Sequence, residues 1–265
     1  MSNTRHVVLI HGTWCRGGVW DVTRDAFEER GYTVHTPTLR YHELPIEQGA
    51  TKVASLSMRD YTDDLVALVD SLDSPPLIVG LSLGGLLAQL VAARTRHAGV
   101  VAACPAPAAG IVAATPATVR SVLTIFGRHF VRPRPWLKPL YPTTWPRFRR
   151  WIANTQTEDA ARDFFGELVC ESGRAYCELI FSFLDRGNAT TVDFAAVTTP
   201  VLVIRGEYDL LVPPQIAPKT AAKYRHGTYV EIPRSDHLVF SGEALPVTMG
   251  CIDDWMAKNH VLAVA

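Results

Sequence analysis

The sequence has neither a net charge nor a membrane-spanning stretch. Its 26 lysines and arginines balance 26 aspartates and glutamates, so no excess charge favours nucleic acid or an anionic membrane surface, and we expect neither as a partner. No apolar run is long enough to cross a bilayer. With 265 residues, 48% of them hydrophobic, the chain can still bury a full core, which suits one large domain.

Paired cysteines are also missing. The five cysteines are scattered and include no C-x-x-C pair, which argues against a disulfide framework and favours a reducing compartment. Strand-like sequence begins at His6, which leaves no room for a secretory signal before it. We therefore expect a cytoplasmic protein. No group of histidine, cysteine and acidic residues has the spacing of a zinc or iron site, so we expect no bound metal.

Acidic residues are absent between Asp73 and Glu158. The second half of this stretch carries eight basic residues: Arg120, Arg128, Arg132, Arg134, Lys138, Arg147, Arg149 and Arg150. One interpretation is a cationic entrance that attracts acidic or phosphate-bearing substrates. The other, which the sequence favours, is a set of solvated arginines on surface helices.

Strand-like and helix-like segments alternate along most of the chain. Apolar or β-branched runs predict strands at 6–10, 33–36, 77–79, 100–103, 200–205 and 228–232. Helical patterns occur at 19–30, 61–72, 85–93, 214–224 and 244–258, and a long polar loop is expected at 39–57. Such alternation indicates a mostly parallel, doubly wound sheet of about six strands.

The alternation stops between residues 106 and 197. This stretch has repeated prolines, several tryptophans and helical pieces, but no pattern of a buried parallel strand. We interpret it as an inserted, mainly helical cap, with 1–105 and 198–265 forming the core domain. Its large aromatic residues either line a substrate pocket or form the cap's own core; they are Trp136, Trp145, Trp151, Phe164 and Phe165.

The segment Gly80-Leu81-Ser82-Leu83-Gly84 is the first candidate for chemistry. It follows an apolar strand-like run and precedes a row of helix formers, which is the strand–turn–helix context of a nucleophile elbow. Glycines on both flanks allow the close backbone approach that such a turn requires. The alternative is an incidental serine in a glycine-rich turn, so the elbow needs partners elsewhere in the chain.

Two later loops supply those partners. Asp209 follows the strand at 200–205, and His237 follows the strand at 228–232, so each lies at a carboxyl end of a parallel strand, where sites in such sheets collect. Glu207 and Asp236 share these loops and are interpreted as solvated or loop-bracing carboxylates. For His11 we expect a structural hydrogen bond. His35 and His42 are expected on the outer side of the loop after the second strand, and the surface is expected to hold His97, His129, His226 and His260.

Five motifs in one order resemble the α/β-hydrolase superfamily: VVLIHG, HGTWCRGGVW, GLSLGG, GEYDLLVPP and SDHLVF. Two details resemble its small branch of plant methylesterases and hydroxynitrile lyases. One is the HG-x-W-x-x-G-x-W loop with Trp14 and Trp20, and the other is Asp-His in place of Gly-His. As in that branch, little sequence precedes the first strand here, so we expect the two edge strands common in other hydrolases to be absent.

The resemblance implies an α/β-hydrolase fold with a Ser82–His237–Asp209 triad. It also implies an oxyanion hole formed by the backbone N–H groups of Thr13 and Leu83. Because Gly12 and Leu238 stand where the lyases carry threonine and lysine, hydrolysis is favoured over cyanohydrin cleavage. The residues expected to contact substrate are Gly12, Trp14, Trp136 and Leu238.

The function expected from this resemblance is hydrolysis of a small-molecule carboxylic ester or lactone through an acyl-enzyme, without a cofactor. The same triad also serves thioester hydrolysis, cofactor-free perhydrolysis and C–C bond hydrolysis. A small-ligand receptor on a hydrolase scaffold is an alternative of a different class. We expect a monomer or a homodimer.

Overall fold

A computed structural model describes residues 4–111 and 116–261. Six of its strands form one sheet in the order β2-β1-β3-β4-β7-β8, and every adjacent pair is parallel. A separate antiparallel ribbon joins β5 to β6. The predicted parallel sheet of about six strands is confirmed. The strands are β1 (His6–Ile10), β2 (Thr33–His35), β3 (Leu77–Leu81), β4 (Gly99–Ala103), β5 (Pro139–Leu140), β6 (Glu171–Ser172), β7 (Val201–Gly206) and β8 (Gly227–Ile232).

The central strands are buried along their whole length, which explains their uninterrupted apolar sequences. Every residue of β1, β3, β4 and β7 is buried, whereas the edge strand β8 is buried only at its last residue. Because all six strands run the same way, their carboxyl ends share one edge of the sheet. The loops after β1, β3, β7 and β8 therefore emerge together.

Ten α-helices accompany the strands in the described part of the chain. One of them, α2, corrects the expected long polar loop at 39–57: Pro45 precedes its first turn, and it buries Gly49, Ala50 and Val53. Its eight residues are too few for a clear helical repeat. The helices are α1 (Asp21–Glu28), α2 (Ile46–Val53), α3 (Met58–Asp70), α4 (Leu83–Ala92), α5 (Pro116–Phe130), α6 (Trp145–Trp151), α7 (Glu158–Gly166), α8 (Gly173–Ile180), α9 (Ile216–Ala221) and α10 (Ala244–Lys258).

The stretch between β4 and β7, here called the inserted segment (residues 106–197), holds α5 to α8 and the short ribbon. Aromatic rings from α6 and α7 pack on one another around Phe148, which is buried. Trp145 and Phe165 belong to this cluster, with their ring centroids 5.4 Å apart. These two aromatic residues therefore form the segment's own core. Among the described helices, none combines the length and the apolar character needed to span a membrane.

Candidate active site

Ser82 lies in a sharp turn between β3 and α4. Its φ of 59° and ψ of −118° place it where residues with a side chain rarely occur. The turn is held by its own backbone: Ser82 N–H donates to the Ala103 carbonyl at 2.9 Å, and the Ser82 carbonyl accepts from Ala106 N–H at 2.9 Å. The side chain is thereby lifted to the end of the sheet.

Two glycines make this turn sterically feasible. A Cβ at Gly84 would overlap the carbonyl oxygen of Ile10, and a Cβ at Gly80 would overlap the carbonyl oxygen of Gly84. Gly12, in the loop after β1, approaches from the other side, where an added Cβ would lie 3.2 Å from the Cβ of Ser82. The elbow and the β1 loop are thus in close contact.

Asp209 and His237 meet below this turn. The Nδ1 of His237 lies 2.8 Å from Oδ2 of Asp209, and both side chains are buried. The other carboxylate oxygen accepts from the N–H groups of Leu211 at 2.8 Å and Val212 at 3.0 Å. Since Nδ1 is engaged, Nε2 is the nitrogen left for chemistry. It is buried, has no hydrogen-bond partner in the described part of the chain, and shares a cavity with Ser82.

Cys104 lies beside this pair, and its Sγ, a carboxylate oxygen of Asp209 and a ring nitrogen of His237 all lie within 4.8 Å of one another. Burial, with the charge of Asp209, raises the pKa of the Cys104 thiol well above its ordinary value. A thiol must lose its proton to bind a metal. The three residues therefore fit a hydrogen-bonded acid–base pair beside a neutral thiol better than a metal centre.

The loop after β1 presents its backbone to the same cavity. Leu39 N–H donates to Nε2 of His11 at 3.0 Å, which leaves the proton on Nδ1, 2.9 Å from the carbonyl oxygen of Gly12. Burial, together with neighbouring His42, lowers the pKa of His11 to about 3, so the ring stays neutral. In a trans peptide the next N–H points away from that carbonyl, so the Thr13 N–H points away from His11.

Thr13 N–H has no hydrogen-bond acceptor among the described residues. Leu83 is the first residue of α4, where a backbone N–H has no partner within the helix. Both N–H groups predicted for the oxyanion hole are thus free to receive a ligand oxygen.

Two apolar cavities adjoin Ser82. The inner cavity, about 40 Å³, is lined by Gly12, Trp14 and Leu238 and by aromatic rings of the inserted segment. The outer cavity, about 330 Å³, extends along α5 and α8. Four residues line both and separate them: Ser82, Phe126, Tyr176 and Leu211. The last three were missed from sequence: for Phe126 and Tyr176, helical periodicity marks a residue as buried without saying whether it faces a core or a cavity, and Leu211 lies in a loop that has no periodicity.

Trp136 is the exception among the predicted contact residues. It is 49% exposed and lines a different surface cavity, beside Leu137 and Phe181. It lies in a short 3₁₀ turn that begins after Arg134, whose φ of 52° reverses the chain direction. The structure therefore does not bring Trp136 to either cavity beside Ser82, because this turn carries its ring to the other one.

A loop of the inserted segment, 153–156, is fastened to the loops that carry Asp209 and His237. The buried carboxylate of Asp236 accepts from Thr155 N–H at 2.8 Å, from the Gln156 side-chain amide at 3.0 Å and from Leu238 N–H at 2.9 Å. The Asn154 amide donates to the Tyr208 carbonyl at 3.2 Å. Asp236 is therefore a bracing residue for the wall of the inner cavity.

His42, expected outside the site on a loop, is instead fully buried beneath the β1 loop. Its Nε2 lies 3.2 Å from Oε2 of Glu171, and its ring centroid is 5.4 Å from that of His11. Tyr61 donates to the other oxygen of Glu171 at 2.7 Å. Burial opposes the charge on His42, but the Glu171 carboxylate raises its pKa above the ordinary value. His97 and His129 are also buried, contrary to expectation.

This buried ion pair predicts a pH-dependent contribution to stability. Burial alone would raise the pKa of Glu171, but His42 lowers it below the ordinary value. We expect Glu171→Gln to reduce the free energy of unfolding by about 3–5 kcal/mol, because it leaves a buried partner uncompensated. The loss is expected to be largest between about pH 4.5 and 6.5, where both groups are charged. It shrinks as pH rises through the raised pKa of His42, and as pH falls through the lowered pKa of Glu171.

Urea unfolding of both proteins across this pH range measures the difference. The control is Asp63→Asn, which removes an exposed ion pair with Arg94 and should change stability by less than about 1 kcal/mol at every pH. If the loss of unfolding free energy in Glu171→Gln did not vary with pH, the ion pair would be contradicted.

A sequence model described as the alpha/beta hydrolase family matches residues 7–245. A pyrethroid hydrolase from Sphingobium wenxiniae is 34% identical over 79 residues, which are 30% of this chain. The match spans about a quarter of that relative's length (27%).

Solved structures resemble the whole chain. A monoacylglycerol lipase from Paleococcus ferrophilus has 21% identity and a TM-score of 0.68, over 97% of this chain and 96% of that one. A pyrethroid hydrolase from Sphingobium faniae has 20% identity and a TM-score of 0.70, over 97% and 100%. A methylesterase from Arabidopsis has 14% identity and a TM-score of 0.68, over 95% and 98%. Identities this low show a shared fold.

Proposed function

This chain belongs to the alpha/beta hydrolase family and has its fold, as the motifs predicted, and on that premise we propose that it is a serine hydrolase cleaving carboxylic esters. The observation that carries the proposal is the His237–Asp209 pair, whose free Nε2 shares a cavity with Ser82 in its strained turn. Similarity to proteins named as pyrethroid hydrolase, lipase and methylesterase supports the same chemistry.

In the proposed mechanism, Nε2 of His237 removes the hydroxyl proton of Ser82 as Oγ attacks the ester carbonyl carbon. Asp209 holds the Nδ1 proton and stabilises the imidazolium that forms. The N–H groups of Thr13 and Leu83 donate to the developing oxyanion, each typically worth about 3 kcal/mol of transition-state stabilisation. His237 then protonates the leaving alkoxide and activates the water that releases the acid. These steps use no cofactor.

The two cavities define the class of substrate. We assign residues 106–197 as a cap over a core of 1–105 and 198–265, because this segment supplies the outer wall of both cavities. No lysine, arginine, aspartate or glutamate lines either one, so the proposed substrate is a neutral ester. Its smaller group occupies the inner cavity and its larger group the outer. Pyrethroids are bulky neutral esters and fit this description.

Hydrolysis of p-nitrophenyl esters with acyl chains from two to twelve carbons tests the proposal. Each buried methylene is worth about 0.8 kcal/mol, so kcat/KM should rise about fourfold per carbon until the cavity is full. A hemisuccinate ester should be at least about tenfold slower than its neutral counterpart. Phe126→Ala should move the optimum to longer chains, whereas Leu123→Ala, exposed on the same helix, should not. A preference for the hemisuccinate, whose charge lies on the acyl group, would overturn the assignment.

The bracing role of Asp236 gives a second prediction. In Asp236→Asn, an amide nitrogen replaces one acceptor oxygen, so either Thr155 N–H or the pair formed with Leu238 and Gln156 loses its acceptor. The cost of such an unsatisfied donor is about 1–3 kcal/mol of stability. If the hydrogen bond from Thr155 N–H is the one lost, the loop 153–156 is no longer held against the inner cavity, and KM for short esters should rise about tenfold. The value of kcat should change less, because the hydrogen bond from Leu238 N–H, beside His237, is kept.

Steady-state kinetics and urea unfolding measure these effects. The matched control is Glu207→Gln on the neighbouring loop, whose half-buried side chain accepts from Arg234 N–H and keeps an acceptor after substitution. Equal behaviour of the two variants would show that the buried carboxylate does not position the cavity wall.

A further inference from the structure

A third cavity, about 520 Å³, lies in the inserted segment between the end of α5 and the chain that connects β5 to α6. Three arginines line this arginine cavity: Arg128 and Arg132 from the α5 end, and Arg147 from α6. His129 and three hydroxyl-bearing residues complete the polar lining, namely Tyr141, Thr143 and Thr144. No carboxylate lines it.

The arginines of this cavity lack acidic partners. In the part of the chain that the structure describes, none of the three forms an ion pair, and the guanidinium of Arg132 donates only to the Pro139 carbonyl at 3.4 Å. By contrast, Arg149 and Arg162, on the same segment, both pair with Glu158. Arg128 and Arg132 are exposed and Arg147 is half-buried, so water screens part of their mutual repulsion, and an anion bound between the three would remove the rest. The absence of acidic residues between Asp73 and Glu158 leaves that anion to come from outside.

Two buried side chains of the cavity lining also lack partners. His129 is 5% exposed and Thr143 is 8% exposed. Neither ring nitrogen of His129 nor the hydroxyl of Thr143 has a hydrogen-bond partner within residues 4–111 and 116–261. Buried polar atoms are nearly always bonded, and those that are not commonly mark a site for an ion or an ordered water. These atoms are a second indication of a ligand, independent of the arginine charges.

We propose that the arginine cavity is a binding site for a phosphate group. A guanidinium presents two parallel N–H donors that match a phosphate or carboxylate edge. Three such groups and the hydroxyls nearby offer more donors than the two oxygens of a single carboxylate can accept. A phosphate, with more oxygens and close to two negative charges at neutral pH, satisfies more of them. The group belongs either to free inorganic phosphate or to a phosphate-bearing substrate.

The cavity shares a wall with the catalytic site. Phe126 lines the arginine cavity as well as the inner and outer cavities. Leu140, also in its lining, accepts a hydrogen bond from the indole N–H of Trp14 at 3.1 Å, and Trp14 follows Thr13 in the β1 loop. A phosphate bound here therefore fixes residues that pack directly on the β1 loop. This coupling rests on the proposed function; the binding site itself does not.

Calorimetric titration of the Ser82→Ala protein with inorganic phosphate, at constant ionic strength, tests binding without any catalysis. Saturable binding and a rise in melting temperature are expected. Arg128→Gln with Arg132→Gln should weaken it at least tenfold, and Thr143→Val, which keeps the side-chain shape, about threefold to tenfold. The control is Arg134→Gln with Arg150→Gln, which removes the same charge from exposed arginines outside the cavity lining. No saturable binding, or an equal loss in the control, would overturn the site.

Two thioesters distinguish the sources of the phosphate. An acyl-coenzyme A carries phosphates, whereas the same acyl group on N-acetylcysteamine carries none. If the phosphate belongs to the substrate, kcat/KM should be at least tenfold higher for the coenzyme A ester. The Arg128/Arg132 double variant should lose this preference, and inorganic phosphate should inhibit hydrolysis of the coenzyme A ester competitively. If the site binds free inorganic phosphate, the two thioesters should react at similar rates, and added phosphate should change the KM of a neutral ester. Both results support the site, and failure of all ester hydrolysis would contradict only the proposed function.

Discussion

Replacing Ser82 with alanine is expected to reduce ester hydrolysis by about 10⁴- to 10⁶-fold while the protein remains folded. The proposed nucleophile is lost, but within the described chain no hydrogen bond to its side chain supports the turn; the bonds to Ala103 and Ala106 come from the Ser82 backbone. The measurement is the initial rate on a p-nitrophenyl ester, with a fluorophosphonate label located by mass spectrometry. The wild-type protein should carry the label on Ser82, and the variant should carry none.

The matched control for this variant is Ser182→Ala. Ser182 lines the outer cavity at a distance in sequence from the elbow, so its loss removes a hydroxyl without removing the proposed nucleophile. Its rate should stay within about threefold of wild type, since surface and lining substitutions of this kind change energies by about 0.5 kcal/mol. Normal labelling of the Ser82→Ala protein would show another nucleophile. A wild-type protein that neither labels nor turns over any ester would favour a receptor.

Gly84→Ala is expected to prevent the protein from folding to a stable native state. The added Cβ would meet the carbonyl oxygens of Ile10 and His11, and both belong to backbone at the end of a buried strand that cannot move aside cheaply. The loss should therefore exceed about 4 kcal/mol, a size that few single substitutions reach. The yield of folded protein and its urea unfolding curve measure the effect.

The same substitution elsewhere in the chain serves as its control. Gly250 lies inside α10 with helical backbone and open space around its Cα, so Gly250→Ala should stabilise the protein by about 0.4–1 kcal/mol. The contrast separates steric overlap from the general effect of removing a glycine. A Gly84→Ala protein with a normal melting temperature would mean that the elbow is looser than the structure describes.

The parts of the site that the sequence predicted are those fixed by local pattern and strand polarity. Ser82 is surrounded by its own determinants within five residues. Asp209 and His237 are far apart in sequence, but each follows a strand, and parallel strands bring their carboxyl ends together whatever the intervening chain does. These three residues were predictable because topology alone decides where they lie; their catalytic roles stay predictions.

The parts that the sequence did not predict depend on contacts between distant segments. His42 pairs with Glu171 across 129 residues, and nothing near either residue indicates the other. The same reason hid the role of Tyr176, whose hydroxyl bonds to the side chain of Thr13. The sequence placed Trp136 wrongly because the left-handed backbone of Arg134 sets the direction of its turn. Arginine rarely adopts this conformation, so the sequence gives no sign of it.

Among the described residues, three hydrogen bonds join the β1 loop to the inserted segment: Trp14 to Leu140, Val169 to the Trp14 carbonyl, and Thr13 to Tyr176. A lid that swings open would break these bonds and displace Thr13, whose N–H is a proposed donor to the oxyanion. On the proposed function we therefore expect substrate to enter and product to leave by side-chain motion along the outer cavity. For protein engineering this rules out exchanging residues 106–197 as a cassette, and directs libraries that alter substrate range to Val122, Ile180 and Phe183, which line the outer cavity.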